Sequence, residues 1–219
     1  MKNVLRKLEG NVQGLDDVMK EEEQKQQYET NEQDMLQMIL GEINNKTLNI
    51  TGEFDLKLLE RVQEFARNLY FYENDPNRTI VVNISSYGGD VNILFSIISI
   101  LEELKTMWDC TVTTVVKGFA YSCGAVLWLY GDYREITEYD EIMIHQVLYG
   151  CMGQLKDHSF ELKRSEKIQK KIDKLITSHC PLTQKQLNKW YKNGQDMFLD
   201  YDDCEKLGLI KPYEYEENK

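Results

Sequence analysis

Ser122 and His145 are the residues whose type and setting point most directly to chemistry. Ser122 lies between a β-branched run and an apolar run in VTTVVKGFAYSCGAVLWLY, and His145 comes 23 residues later in EIMIHQ. A serine hydroxyl where a strand turns into a helix lies beside unpaired backbone N–H groups and the positive end of the helix dipole, which suits an acyl-transfer nucleophile. Serine is also a favoured helix N-cap, and the local sequence alone favours that simpler role.

A nucleophilic serine needs a base, a group that orients the base, and N–H donors for the oxyanion. Among the three histidines of the chain, His158 and His179 lie in a highly charged helical stretch, where solvated histidines are expected. His145 instead ends an apolar strand, from which an imidazole can face a cleft. A lone histidine there is more often structural, but His145 is the candidate base.

Gly88 and Gly89 follow the β-branched run TIVVNI and are the candidate oxyanion donors. Paired glycines between a strand and a helix let backbone N–H groups approach a ligand closely. Together with the N–H of Cys123, the residue after the nucleophile, Gly89 could form a hole with two donors. A tight turn is an equally good interpretation of the glycine pair by itself.

The elements that must position these residues alternate between strands and helices from Leu48 onward. Strands are predicted in LNITG, TIVVNI, CTVTTVV and EIMIHQ, with helical apolar periodicity between them in LKLLERVQEFARNLYFYEN, VNILFSIISILEELKTM and GAVLWLY. This alternation predicts an α/β fold with a mostly parallel sheet and right-handed crossovers.

The stretch LKDHSFELKRSEKIQKKIDKLITSHC predicts a long protruding helix, and PLTQKQLNKWYKNG predicts another helix that ends at the Gly194 turn. The long helix combines a polar outer face with a thin apolar stripe. Such a stripe usually packs on something outside its own small domain. Subunit contact is therefore expected.

Composition narrows the class of protein. The chain has 219 residues and a formal net charge of -11, which argues against nucleic acid or an anionic membrane as the main partner. Its five cysteines are odd in number and form no CxxC pair, so a zinc cluster or a disulfide framework is not expected and a reducing compartment fits. Without a signal peptide or an apolar run of about 18 residues, the expected location is the cytoplasm.

Residues 1–46 differ from the rest and are predicted to be an N-terminal arm, acidic and in part amphipathic. A solvated arm and a helix that docks on a partner are equally open. The domain that carries the candidate chemistry is then 47–219.

Five segments together resemble the family of the Clp protease proteolytic subunit, ClpP, within the ClpP/crotonase fold. They are ITGEFD, ISSYGGDV, GFAYSCGAV, IMIHQVLYGCMGQ and DMFLDYDDCEKLGLI, and the similarity runs from Thr47 to Ile210. The resemblance implies repeated β-β-α units with a protruding handle helix over 155–179. The arm does not resemble the family's axial loop, and it would also suit a divergent phage-type member with a dedicated substrate.

The resemblance also implies roles for individual residues. Ser122 becomes the nucleophile, His145 the general base and Asp196 the carboxylate that orients His145. The residues alone do not single out Asp196 from the other aspartates nearby, which are Asp200, Asp202 and Asp203.

Further implied roles concern the backbone around the nucleophile. Gly89 and Cys123 become the oxyanion donors, and the segment after His145 is expected to pair with the substrate backbone. The substrate-binding residues are then Gly88, Val147, Leu148, Tyr149 and Gly150.

The implied activity is that of a serine endopeptidase that cleaves unfolded or extended polypeptides inside a chamber. The resemblance implies stacked homo-oligomeric rings, heptameric in the family, a possible AAA+ unfoldase partner, and no metal or organic cofactor. Two alternatives remain: a crotonase-type acyl-CoA enzyme, which has no use for the serine, histidine and aspartate, and a non-catalytic assembly subunit of the same fold.

Three residues depart from the family pattern near the candidate site. Tyr87 replaces the proline of the Ser-Pro-Gly-Gly motif, Val147 replaces the proline that usually follows His-Gln, and Tyr121 replaces a small residue beside the nucleophile. None of these positions supplies a catalytic group. We therefore expect a pocket of altered shape and an altered substrate preference.

Overall fold

A computed structural model describes residues 37, 41–42, 46–69, 79–192, 194 and 196–213. By its internal contacts the chain divides into two units, Met1–Asn44 and Asn45–Lys219. All strands and helices discussed below belong to the second unit. The predicted arm, 1–46, lies outside the described residues apart from 37, 41–42 and 46, so the assignment of 1–46 and 47–219 as separate parts stays a prediction.

The described part of the second unit is a mixed α/β fold built on one sheet of six strands. The strands are β1 (Thr47–Phe54), β2 (Thr79–Gly89), β3 (Thr111–Tyr121), β4 (Tyr133–Glu135), β5 (Glu141–Ile144) and β6 (Met197–Leu199). The helices are α1 (Leu56–Leu69), α2 (Val91–Trp108), α3 (Cys123–Tyr130), α4 (Leu155–His179), α5 (Gln184–Lys192) and α6 (Tyr201–Lys206).

The strand order is β1-β2-β3-β5-β6, and β4 pairs with β3 beside β5. All pairs are parallel except β5 with β6, which is antiparallel. Parallel pairing follows from the helices that connect successive strands, since each helix returns the chain to the same end of the sheet. The predicted mostly parallel α/β fold is confirmed.

The strands are longer than the apolar runs that predicted them. β2 continues through SSYGG to Gly89, and β3 continues through KGFAY to Tyr121. These extensions contain glycines and polar residues that read as turns in the sequence. They are held as strand because the neighbouring strands supply hydrogen-bond partners, with Phe54 paired to Gly89 and Ala120 paired to Ser86.

Helix α3 lies in the core, with all eight of its residues buried. It is apolar on every side, as expected for a helix with protein around it. Its polar groups have partners: Trp128 Nε1 donates to the Glu135 carbonyl at 3.0 Å, and the Tyr130 hydroxyl donates to Glu102 at 2.8 Å.

Helix α4 has 25 residues, of which Ile172, Asp173 and Ile176 are buried. Most of the rest are at least partly exposed, including Leu155 at 88% and Phe160 at 67%. The predicted long helix is therefore present, but Ile172 and Ile176 of its apolar stripe are buried within this chain and not against another subunit, whereas Phe160 stays exposed. Among the described helices, α4 included, none has the length and hydropathy needed to cross a membrane.

Candidate active site

Ser122 lies at the junction of β3 and α3 in an unusual backbone conformation. Its φ is 53° and its ψ is -117°, a combination that side-chain-bearing residues rarely adopt. The Ser122 N–H donates to the Met143 carbonyl of β5 at 2.8 Å, which ties the junction to the neighbouring strand. The hydroxyl makes no capping hydrogen bond to α3. The structure thus does not support the interpretation of Ser122 as an ordinary side-chain cap.

Gly88 lets the end of β2 pass directly against the candidate nucleophile. With φ at 100°, a Cβ on Gly88 would lie 2.6 Å from Ser122 Cβ and 3.1 Å from Cys123 N. The Gly88 N–H donates to Ser86 Oγ at 3.0 Å, and that hydroxyl donates to the Gly52 carbonyl at 2.5 Å. The close approach of β2 to Ser122 therefore requires a glycine at position 88, in addition to any requirement of a turn.

A cavity of about 410 Å³ brings the sequence-predicted residues together. Its lining includes Ser122, His145 and Asp196, the three residues of the predicted triad. Four further predicted residues also line it: Gly89, Cys123, Val147 and Leu148.

The remaining predicted substrate-binding residues lie elsewhere. Gly88 packs behind Ser122, and Tyr149 lines a neighbouring, more open groove against α4. Gly150 is exposed and lines neither the cavity nor the groove.

The register of β5 and β6 explains how Asp196 comes to lie near His145. Ile144 pairs with Met197 in the antiparallel ladder, so the next positions outward are His145 and Asp196. Residues directly opposite in such a ladder have side chains on the same face of the sheet. Asp200 instead caps α6, where its carboxylate accepts from the Asp203 N–H at 2.9 Å.

The three residues share the cavity without being joined by hydrogen bonds. In the described part of the chain, no hydrogen bond links the Ser122 hydroxyl to His145, or His145 to Asp196. His145 is half-buried and Asp196 is exposed. Catalytic hydrogen bonds are often long or poorly aligned in substrate-free enzymes and tighten when substrate binds. The catalytic roles of these residues stay predictions.

Cys123 is not a competing nucleophile. Burial raises the pKa of its thiol to about 11, although hydrogen bonding to Gly89 and Ser122 acts in the opposite direction. The side chain is 2% exposed, and its Sγ donates to the Gly89 carbonyl at 3.3 Å. Since the thiolate is the reactive form of cysteine, a buried thiol that stays protonated at neutral pH is not activated as a nucleophile.

Tyr87 and Tyr121, the two bulky departures from the family pattern, belong to one aromatic cluster. Tyr87 lies 4.3 Å from Phe119 and 5.7 Å from Tyr121 between ring centroids, and Tyr121 lies 5.8 Å from Phe198. The Tyr121 hydroxyl donates to Glu141, and this hydrogen bond is the main cause that raises the pKa of Tyr121 to about 12. Tyr87 lines the cavity and is 71% exposed, so the cluster borders the cavity.

Sequence reasoning did not identify Phe119 and Phe198 as part of this border. The sequence did contain a signal: Phe119 and Tyr121 are two residues apart on β3, so their side chains lie on the same face of the sheet. The sequence gives no register between β5 and β6, however, and Phe198 reaches the cluster through its pairing with Met143.

The apolar wall of the cavity comes from residues that sequence reasoning did not connect with the site: Val91, Leu94, Val126, Met143, Ile144 and Ile172. Within the described residues, no three histidine, cysteine, aspartate or glutamate side chains gather where they could hold a metal ion.

Comparison with known proteins identifies the family. The family model described as Clp protease matches residues 28–212. The ATP-dependent Clp protease proteolytic subunit 2 of Bacillus licheniformis is 29% identical over 170 residues, which cover 77% of this chain and 85% of that protein. The ATP-dependent Clp protease proteolytic subunit 1 of Rhodopirellula baltica is 28% identical over 178 residues, or 80% of this chain and 75% of that protein. The resemblance seen in the five segments is confirmed, and the chain belongs to the Clp protease family.

Proposed function

We propose that this chain is a serine endopeptidase with Ser122 as nucleophile, His145 as general base and Asp196 as the carboxylate that orients the base. The observation that carries the proposal is the single cavity lined by all three residues. The uncapped, positive-φ backbone of Ser122 supports it, since strained residues at a cavity edge are frequently functional. Membership of a peptidase family supports the reaction class.

The proposed reaction is acyl transfer in two steps. His145 takes the proton of the Ser122 hydroxyl as Oγ attacks the peptide carbonyl carbon, and Asp196 stabilises the imidazolium that forms. The backbone N–H groups of Gly89 and Cys123 stabilise the oxyanion. The C–N bond breaks as His145 gives its proton to the leaving amine. Water, deprotonated by His145, then hydrolyses the Ser122 ester and regenerates the free hydroxyl.

The proposed substrate is an unfolded or extended polypeptide. Val147 and Leu148 follow β5 along the cavity, so an extended chain could lie beside them with its carbonyl at Ser122. Bulky aromatic residues at one border of the cavity restrict the side chains that fit there. The small volume of the cavity and its aromatic border favour an extended peptide over a bulky folded substrate.

The proposed assembly is a homo-oligomer of stacked rings, as in the family. Large apolar side chains are exposed on α4 and on the segment before it, in a number unusual for a surface that faces water. They are Met152, Leu155, Phe160 and Leu162. We assign this surface to contact between copies, and an unfoldase partner and a heptameric ring follow only by analogy with the family.

A cytoplasmic location and a separate role for the arm complete the proposal. The five thiols, Cys110, Cys123, Cys151, Cys180 and Cys204, are free, as expected in a reducing compartment. The peptidase activity is assigned to 47–219, and a solvated arm and a helix that docks on a partner are both compatible with 1–46.

The test is covalent labelling with a fluorophosphonate, followed by mass spectrometry to locate the adduct. We expect an adduct on Ser122 in the parent, no adduct in Ser122→Ala, and a loss of about 10⁴-fold or more in labelling rate in His145→Ala. His158→Ala is the matched control, because His158 is an exposed histidine on α4. Asp196→Asn should slow labelling, whereas Asp202→Asn, at an exposed position on α6, should not.

Absence of labelling in every oligomeric form would overturn the proposal. If such a protein hydrolysed acyl-CoA thioesters, the crotonase-type alternative would replace it. If it did neither, the non-catalytic assembly subunit would.

A further inference from the structure

A single hydrogen bond joins the segment that follows His145 to the rest of the described domain. The Val147 N–H donates to Gln169 Oε1 of α4 at 2.7 Å. Among the described residues, no other hydrogen bond joins 146–153 to another part of the chain. The Gln169 side chain therefore supplies the hydrogen bond that holds this segment to α4.

The Gln169 amide has only one orientation that satisfies its neighbours. Its Nε2 donates to Asp173 Oδ1 at 2.8 Å and to the Tyr191 hydroxyl at 3.1 Å. A carboxylate accepts and cannot donate, so the amide nitrogen must face Asp173. The amide oxygen is thereby left pointing to Val147, which supplies the donor it needs.

Asp173 is held in turn by side chains of both α4 and α5. It is 6% exposed and accepts from Gln184 Nε2 at 2.8 Å and from the Tyr191 hydroxyl at 2.9 Å. Burial and the nearby carboxylate raise the pKa of Tyr191 above its usual range, so the hydroxyl keeps the proton it donates. The network joins α4 to α5 and ends at the Val147 N–H.

Val147 has an N–H to donate because valine stands where the family usually has proline. A proline at this position, which is usual in the family, has no N–H and could not make this bond. Val147 and Leu148 both line the cavity, so the bond from Val147 to Gln169 links a cavity-lining segment to α4.

We propose that Gln169 is a positioning residue for peptide binding: its amide oxygen holds Val147, and Asp173 sets the orientation of that amide. The inference rests on the proposed peptidase function for its consequence, but its structural part does not. The substrate-binding edge would then be aligned by the packing of α4 against α5 and would shift when that packing is disturbed.

The structural part is tested by hydrogen exchange, which needs no catalysis. In the parent, the Val147 amide should be protected. In Gln169→Leu its exchange should become at least about tenfold faster. Gln63→Leu is the matched control, because Gln63 is an exposed glutamine on α1. Equal exchange at Val147 in the parent and in Gln169→Leu would overturn the proposal, whether or not the chain is a peptidase.

The functional part is tested with an extended peptide substrate. We expect Gln169→Leu to raise KM about fivefold, with the labelling rate of Ser122 by fluorophosphonate changed less than twofold. A variant that merely folded less well would instead lose labelled protein and kcat, with KM unchanged. If the Val147 amide exchanged faster in Gln169→Leu but KM did not change, only the functional part would be overturned.

A double-mutant cycle identifies the partner. In the Val147→Pro background the donor is missing, so adding Gln169→Leu should change KM less than twofold. Additive effects of the two substitutions would show that Gln169 acts through another contact and would overturn the assignment. Failure of the peptidase proposal itself is seen separately, as absence of labelling in the parent.

Discussion

At the scale of single residues, the candidate site depends on how closely Gly88 approaches Ser122. We expect Gly88→Ala to abolish fluorophosphonate labelling and to lower the free energy of unfolding by about 2 kcal/mol, because the new Cβ must displace Ser122 and strain a positive φ. Labelling and urea denaturation measure the two effects.

Gly118→Ala is the control for this substitution. Gly118 has φ at 88° but no atom within 4 Å of its Cβ position, so it shares the strain and lacks the collision. It should lose stability and keep the labelling rate. If Gly118→Ala lost labelling equally, the close approach at Gly88 would not be what matters.

Cys123 gives a prediction that depends on pH. Its pKa is raised from 9.0 to about 11 in the folded protein, so the folded state binds more protons than the unfolded state between these values. The resulting stabilisation is complete below about pH 9 and is lost as the pH rises towards 11. The parent should therefore lose about 1–3 kcal/mol more unfolding free energy between pH 7.5 and 10.5 than Cys123→Ala.

Urea denaturation at the two pH values checks this difference. Cys123→Ala should also keep labelling at Ser122 within a few fold, because only the backbone N–H of residue 123 has a proposed role. Equal losses in both proteins would contradict the raised pKa.

Residue types and local context were enough to nominate Ser122, His145 and the glycine pair. They were not enough for the acid, because Asp196, Asp200 and Asp202 are chemically equal and lie within a few residues of one another. What distinguishes Asp196 is the pairing of β5 with β6, which is a long-range property. Only the family pattern could select it from the sequence.

At the scale of elements, the network between α4 and α5 should contribute to stability. Asp173→Asn keeps the size of the side chain but replaces one acceptor oxygen with an NH₂ group that faces donors. One donor of the network then loses its acceptor, which should cost about 1–3 kcal/mol. Thermal or urea unfolding measures the cost.

Asp157→Asn is a useful comparison on the same helix. Its carboxylate accepts from the Gln154 N–H at 2.9 Å in an exposed capping box, where water can replace the lost contact. A smaller cost, about 1 kcal/mol or less, is expected there. An equal cost at the two positions would argue against a special role for the buried network.

Elements with a clear period were predictable, and short ones were not. The apolar positions of α1 follow helical spacing, and Leu58, Val62 and Phe65 are buried as that spacing predicts. Strands β4 and β6 have three residues each, too few to show alternation. These two strands form because the edges of β3 and β5 supply hydrogen-bond partners, and no local sequence pattern predicts those edges.

At the scale of the whole molecule, the exposed apolar surface of α4 predicts self-association. Phe160→Glu should lower the mass of the assembly in native mass spectrometry, because burying an unpaired charge at an apolar interface costs several kcal/mol. Tyr139→Glu is the control, since Tyr139 is 84% exposed in the turn before β5 and does not belong to α4. A parent that is a stable monomer at micromolar concentration would contradict the proposed assembly.

Because α3 is buried, the candidate site persists only while the whole domain stays folded. Ser122 precedes a helix whose eight residues are all buried, so it cannot move away by the fraying or local opening that affects surface elements. On gradual heating, reactivity of Ser122 and the cooperative melting of the domain should therefore disappear together. The position of Ser122 is therefore kept for as long as the domain is folded, and no local opening of α3 alone displaces it.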